Sequence, residues 1–157
     1  MNEMTAHQYF MVRKYYQASI EFEKIYNNEP DNNLVQKKLI ICYTQSNRPK
    51  DALDLFLQLI KRDIKIIIKT DPDSDDCPCP DLITNINTDF VRYEDKFTIK
   101  YVLGILWLYC DAEKSLCYFR EALNIEKVNP KISEVIRIIE TRNRKFIKNI
   151  LAQMEEK

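Results

Sequence analysis

Shifted against itself by 34 residues, the sequence partly repeats. Tyr9 falls on Tyr43, Lys14 on Arg48, Ala18 on Ala52, Phe22 on Phe56 and Ile25 on Leu59. Within each copy the small residue and the phenylalanine lie four apart, and the aliphatic residue follows three later. That spacing places all three on one face of an α-helix. A period of this length in a helical sequence predicts stacked helix pairs, which bury their apolar faces only against neighbours. Such stacks usually present surfaces rather than perform chemistry.

The composition fits one folded domain. The chain has 157 residues, 45% apolar and 31% charged, enough to bury a sizeable core. Acidic and basic residues balance at 24 each, so no global field favours nucleic acid or an anionic membrane. The longest apolar run, Tyr101 to Cys110, is ten residues, whereas a membrane span needs roughly twenty. With Glu3 near the start and no apolar leader segment, the expected location is the cytoplasm. Five cysteines without a secretory leader read as reduced thiols. Gly104 and His7 are the single glycine and histidine, which argues against phosphate-cradling loops, nucleophile elbows and multi-histidine metal sites. The expectation is a non-enzyme with no cofactor.

Prolines punctuate the helices. Pro30 closes the first repeat, Pro49 lies in a short turn, and Pro72, Pro78 and Pro80 cluster. Asn129-Pro130 reads as an N-cap and first helical position. Helices are predicted at about 2–14, 16–28, 33–45, 50–69, 95–109, 111–127 and 130–154. The third helix is expected to turn Leu34, Leu39, Ile40 and Tyr43 inward. The run Ile64-Lys65-Ile66-Ile67-Ile68 is β-branched but continues the helical period of the preceding segment. Residues 70–81 hold three prolines and five aspartates and read as a loop; 82–92 has room for a short helix, although its Thr and Asn content favours irregular structure. The last helix carries an apolar stripe of Ile132, Val135, Ile136, Ile139, Phe146, Ile150 and Leu151.

These features resemble the tetratricopeptide repeat (TPR) family, whose first helix carries a bulky residue, Leu-Gly and Tyr. Its second helix carries Ala, Phe and Ala at intervals of four and three, before a closing Pro. Repeat one matches at Ala6, Tyr9, Tyr15, Ala18, Phe22 and Pro30; repeat two at Leu39, Tyr43, Ala52 and Phe56, with Leu59 for the last alanine. A displaced third copy matches at Leu103, Gly104, Trp107, Ser115, Phe119 and Ala122, with an inter-helix turn one residue short. The resemblance covers about 100 residues. It implies an all-α, right-handed α-α superhelix forming one domain, with repeats at about 1–32, 33–66 and 96–128. An insertion would occupy 70–93 and a C-terminal capping helix 130–155.

Carried over position by position, the first helices would line a concave groove with His7, Phe10, Met11, Lys37, Ile41, Tyr101, Ile105, Leu108 and Tyr109. Glu3, Leu34, Thr44, Gln45 and Thr98 share that face. Some family members clamp a terminal carboxylate there with asparagines and basic groups. Here His7 and Ile41 stand at the asparagine positions, and Tyr101 and Ile105 replace basic groups, so that ligand class is not expected. The face suits an amphipathic helix or extended apolar peptide, unless the insertion or the last helix fills it.

Other constellations are weaker. Asp71, Asp73, Asp75 and Asp76 alternate like the start of a calcium loop, but the glycine and glutamate such a loop needs are replaced by Asp76 and Leu82. Cys77-Pro-Cys79 is a candidate metal or redox pair, with Cys110 as a conceivable third ligand. Residues 127–148 carry a formal excess of five positive charges without a stacking platform for nucleic acid, and read as a solvated helical face or as a pairing surface for the acidic run 71–81. The leading expectation is an interaction module or scaffold with a protein or peptide partner, and no nucleic-acid or membrane partner. The alternatives are a metal- or redox-linked regulator using Cys77 and Cys79, and a self-associating homodimer using Phe10, Met11 or the last helix.

Overall fold

A computed structural model describes residues 3–71, 77–87 and 95–156. Among them all regular secondary structure is helical. The helices are α1 (Glu3–Met11), α2 (Tyr15–Asn28), α3 (Asn33–Gln45), α4 (Pro49–Asp63), α5 (Lys65–Ile68), α6 (Cys79–Asn87), α7 (Lys96–Leu108), α8 (Ala112–Ile125) and α9 (Pro130–Glu155). Helices α1 to α4 pack in sequential order. Helix α7 pairs with α8, α8 packs on α9, and α4 joins the two groups through α7 and α9.

Side chains set four helix starts by accepting otherwise orphaned amide protons. Asn32 accepts from the Val35 amide at 3.2 Å, and Asp95 from that of Thr98 at 2.7 Å. Asp111 takes the amides of Glu113 and Lys114 at 3.0 and 3.1 Å, and Asn129 that of Ile132 at 3.1 Å. Pro49 and Pro130 occupy first-turn positions, where a missing N–H costs nothing.

The repeat extends from sequence to backbone. Helix α1 ends at Met11 rather than near Lys14, because Arg13 enters the left-handed region at φ 64°. The Lys14 amide then reaches back to the Tyr9 carbonyl at 2.8 Å, and the Arg13 amide to that of Phe10 at 3.0 Å. This is the double closure of a helix end by a left-handed residue. Thirty-four residues on, Asn47 has φ 59° and the Arg48 amide reaches the Tyr43 carbonyl at 3.1 Å. The turn between α7 and α8 lacks the left-handed residue, and the Asp111 amide bonds Trp107 at 2.6 Å. That four-residue closure is the shortening visible in the third copy.

The repeated small and aromatic positions meet inside. Ala18, Phe22, Ala52, Phe56, Phe119 and Ala122 are fully buried. Phe56 stacks on Phe119 with centroids 5.7 Å apart. A methyl group on Gly104 would lie 2.8 Å from the Phe119 ring, so glycine here permits close approach of the α7 backbone to α8. The Ser115 hydroxyl donates to the Gly104 carbonyl at 2.6 Å and fixes the same contact.

Three local expectations need correction, and the last helix adds a detail. Leu34 is exposed rather than inward, because the Asn32 cap sets a register in which Val35, Leu39 and Ile40 face the core. The predicted 50–69 helix divides at Ile64; the Asp63 carboxylate accepts the Lys65 amide at 3.0 Å and starts a separate turn, where β-branched crowding weakens continuation. Residues 79–87 are helical rather than irregular, since burial of Leu82 and Ile83 outweighs weak local propensity. In α9 the stripe is buried at Ile132, Val135, Ile136 and Ile139 and emerges into solvent from Phe146 onward. Asn2, Asp73, Asp75, Asp76 and residues 88–94 lie outside the described residues, and with them most of the calcium-like run.

Candidate functional site

The residues expected to line a groove divide into a buried majority and an exposed margin. Phe10, Ile41, Tyr101, Ile105, Leu108 and Tyr109 are core residues. Phe10 meets Tyr15 and Phe22 edge-on at 5.8 and 6.2 Å. The Tyr109 hydroxyl donates to the Lys37 carbonyl at 2.7 Å, tying the end of α7 to the middle of α3. Thr70 and Cys77 close over the same place, leaving a space of about 10 Å³ among Phe10, Leu34, Lys37, Ile41 and Tyr109. That is room for at most one water. Around Phe10, Ile41 and Tyr109 the expected apolar face is covered by the chain itself.

The margin holds His7, Lys37 and Met11. Met11 is exposed. His7 lies edge-on to Phe22 at 5.2 Å, with Nδ1 3.1 Å from Lys38 Nζ and Nε2 3.5 Å from a Glu3 oxygen. Partial burial and the Lys38 charge push its pKa down, against the opposing pull of Glu3. The imidazole is thus held neutral near pH 7. Lys38 also caps the Phe10 ring at 5.0 Å.

The structure brings Cys77, Cys79 and Cys110 into electrostatic contact. Cys79 is buried, Cys77 is half-buried beside it and Cys110 is exposed. Burial, then the neighbouring Cys77 and Cys110, push the Cys79 thiol well up. Burial, Cys77 and Asp111 push Cys110 up to about 11. Protonated thiols are weak nucleophiles and must lose protons to bind metal. Among the described residues no group of three His, Cys, Asp or Glu side chains is arranged to hold a metal ion.

The accessible recess lies elsewhere. Helices α5 and α9 flank a space of about 480 Å³, with Ile64, Ile68, Ile138 and Phe146 as its apolar lining and Lys65, Lys69, Arg137, Arg142 and Lys145 as its cations. Beyond it α9 projects with Phe146 51%, Ile150 41%, Leu151 54% and Met154 67% exposed. The sequence marked the basic excess and the stripe of this helix, but not the partnership with α5, which joins residues some 75 positions apart. A larger recess of about 850 Å³ near Asp54, Asp95 and Lys131 is of mixed charge, and Lys131 is ion-paired with Asp54. Among the described residues no helix is long and apolar enough to cross a membrane. No protein-family model matches the chain, and no curated protein matches it.

Proposed function

We propose that the chain is a TPR-like helical-repeat protein, a single domain that acts as a protein-interaction module and docks its partner on α9. The repeated Arg13 and Asn47 turns and the small-residue–phenylalanine packing support the repeat reading. The observation that carries the interaction reading is the uncovered stripe of α9. Its first half buries Ile132, Val135, Ile136 and Ile139, while Phe146, Ile147, Ile150, Leu151 and Met154 continue the helical pattern into water. A contiguous exposed apolar face marks an interaction surface, and a rigid helix presents it without further ordering cost.

Affinity capture with wild type and with Ile150→Asp/Leu151→Asp tests this. Both positions are exposed, so the variant folds. Proteins retained by wild type and lost by the variant are expected; identical recovery by the two would remove α9 as the site. The second reading, self-association, uses the same face and is tested by light scattering across a concentration series. Burial raises the Cys79 thiol pKa, which weighs against an activated thiolate in the metal- or redox-linked alternative.

A further inference from the structure

The docking reading leaves the partner's chemistry open, and the recess between α5 and α9 constrains it. The apolar surface of Ile64, Ile68, Ile138 and Phe146 lies between two cationic walls. Lys65 stands on α5 and Lys69 just after its end; Arg137, Arg142 and Lys145 stand on α9, and among the described residues no carboxylate lines the recess. Arg137 is held by Glu134 at 3.0 and 2.6 Å. Arg142 lies over the Phe146 ring at 4.8 Å and donates to the Asn143 side chain at 3.2 Å, so its charge is not neutralised. Among the described residues Lys65, Lys69 and Lys145 make no ion pair. Glu140 pairs with Arg120 at 3.3 Å, and Asp63, outside the recess, accepts the Lys65 amide at 3.0 Å.

Among the described residues, four cations thus line this apolar recess with no ion pair of their own. A second copy docked symmetrically would set the same cations against one another, which costs free energy. A lipid surface is flat and leaves a cleft between two helices unfilled. An amphipathic helix fits both features, with apolar residues at i, i+3, i+4 and i+7 entering the cleft and carboxylates reaching its walls.

Resting on the interaction reading above, we infer that the α5/α9 recess binds an acidic amphipathic helix of a partner protein. The uncompensated lysines select it by charge, and Phe146 with the isoleucines anchors its apolar stripe.

The test uses a fluorescent synthetic peptide of about 18 residues with leucines at helical spacing and glutamates elsewhere. Its controls are a scrambled peptide of equal composition and one with glutamine for glutamate. Fluorescence anisotropy is expected to report binding to the full chain, weakened roughly tenfold or more by scrambling, by the glutamine exchange, and by Lys65→Glu/Lys69→Glu. Added salt weakens binding as well. Equal binding of the scrambled peptide, or none of the acidic one, overturns the inference. So does preferential binding to phosphatidylserine vesicles, which assigns the face to lipid, or dimerisation abolished by Ile150→Asp/Leu151→Asp, which assigns it to a second copy. If the captured proteins depend on Ile150 and Leu151 while the acidic peptide fails to bind, the partner chemistry alone is wrong. If capture is indifferent to those residues, the docking reading itself fails.

Discussion

Arg13 and Asn47 lie 34 residues apart and hold the same left-handed backbone conformation, at φ 64° and 59°. Each allows the next amide to close the preceding helix on a tyrosine carbonyl, Lys14 on Tyr9 and Arg48 on Tyr43. The side chains are unrelated, so the shared feature is the turn itself. Asparagine tolerates this region better than arginine, whose Cβ crowds the following carbonyl. Arg13→Gly is therefore expected to stabilise the fold by up to about 1 kcal/mol, and Asn47→Gly to change it much less. Urea unfolding of the two variants checks this; a larger gain at Asn47 would contradict it.

Gly104 and Phe119 set a second expectation. Gly104→Ala drives a methyl group to 2.8 Å from a fully buried ring that is already stacked on Phe56. The expected loss is about 1–3 kcal/mol, the cost of overpacking. In the larger-to-smaller direction, Ser115→Ala removes the donor to the Gly104 carbonyl and is expected to cost about 1 kcal/mol. Thermal unfolding measures both.

Alkaline pH acts through the buried thiols and phenols. Burial pushes Cys42, Cys79 and Tyr109 well up, and Tyr15 to about 12. In the unfolded chain these groups ionise at their ordinary values, near 9 for thiols and 10 for phenols. Between the unfolded and folded values the unfolded chain holds fewer protons, so stability falls with rising pH. The contribution is full below the ordinary thiol value and declines from there through about 11, where Cys110 titrates in the fold. Denaturant midpoints across this range are expected to fall, with a shallower slope in Cys42→Ala and Cys79→Ala. A flat profile would contradict the assignment.

Thiol labelling separates the cysteines by accessibility. Cys117 and Cys110 are exposed, whereas Cys42 and Cys79 are buried. In the native protein Cys117 is expected to react first. Cys110 follows more slowly near neutral pH because its thiol is held protonated. Cys42 and Cys79 should label only on unfolding; mass spectrometry of partly labelled protein reports the order.

The two halves of α9 differ in what a charge does to them. Ile139 is fully buried, whereas Leu151 is 54% exposed. Ile139→Asp is expected to cost several kcal/mol by burying an unpaired carboxylate. Leu151→Asp should change stability by no more than about 0.5 kcal/mol. Circular dichroism melts decide it, and a cooperative loss from Leu151→Asp would show that the second half contributes to the core.

Much of the helical framework was legible in local chemistry. Asn129-Pro130 and Asp111 announce their helices because capping involves neighbours three residues apart, and the 34-residue spacing of Ala18/Phe22 and Ala52/Phe56 identifies packing positions. The sequence by itself determined most of the helical segments and their apolar faces, since periodicity reports those properties of a single element; it did not reveal the helix at 79–87 or the break at Ile64. What covers each face was decided only in the tertiary structure. Tyr109 reaches the Lys37 carbonyl across 72 residues of sequence, and that contact, with Cys77 and Thr70, turns an expected groove into core. The same arrangement leaves the second half of the α9 stripe exposed, with Phe146 facing the recess beside α5. An apolar pattern records the need for burial; which neighbour meets it depends on how the whole chain closes.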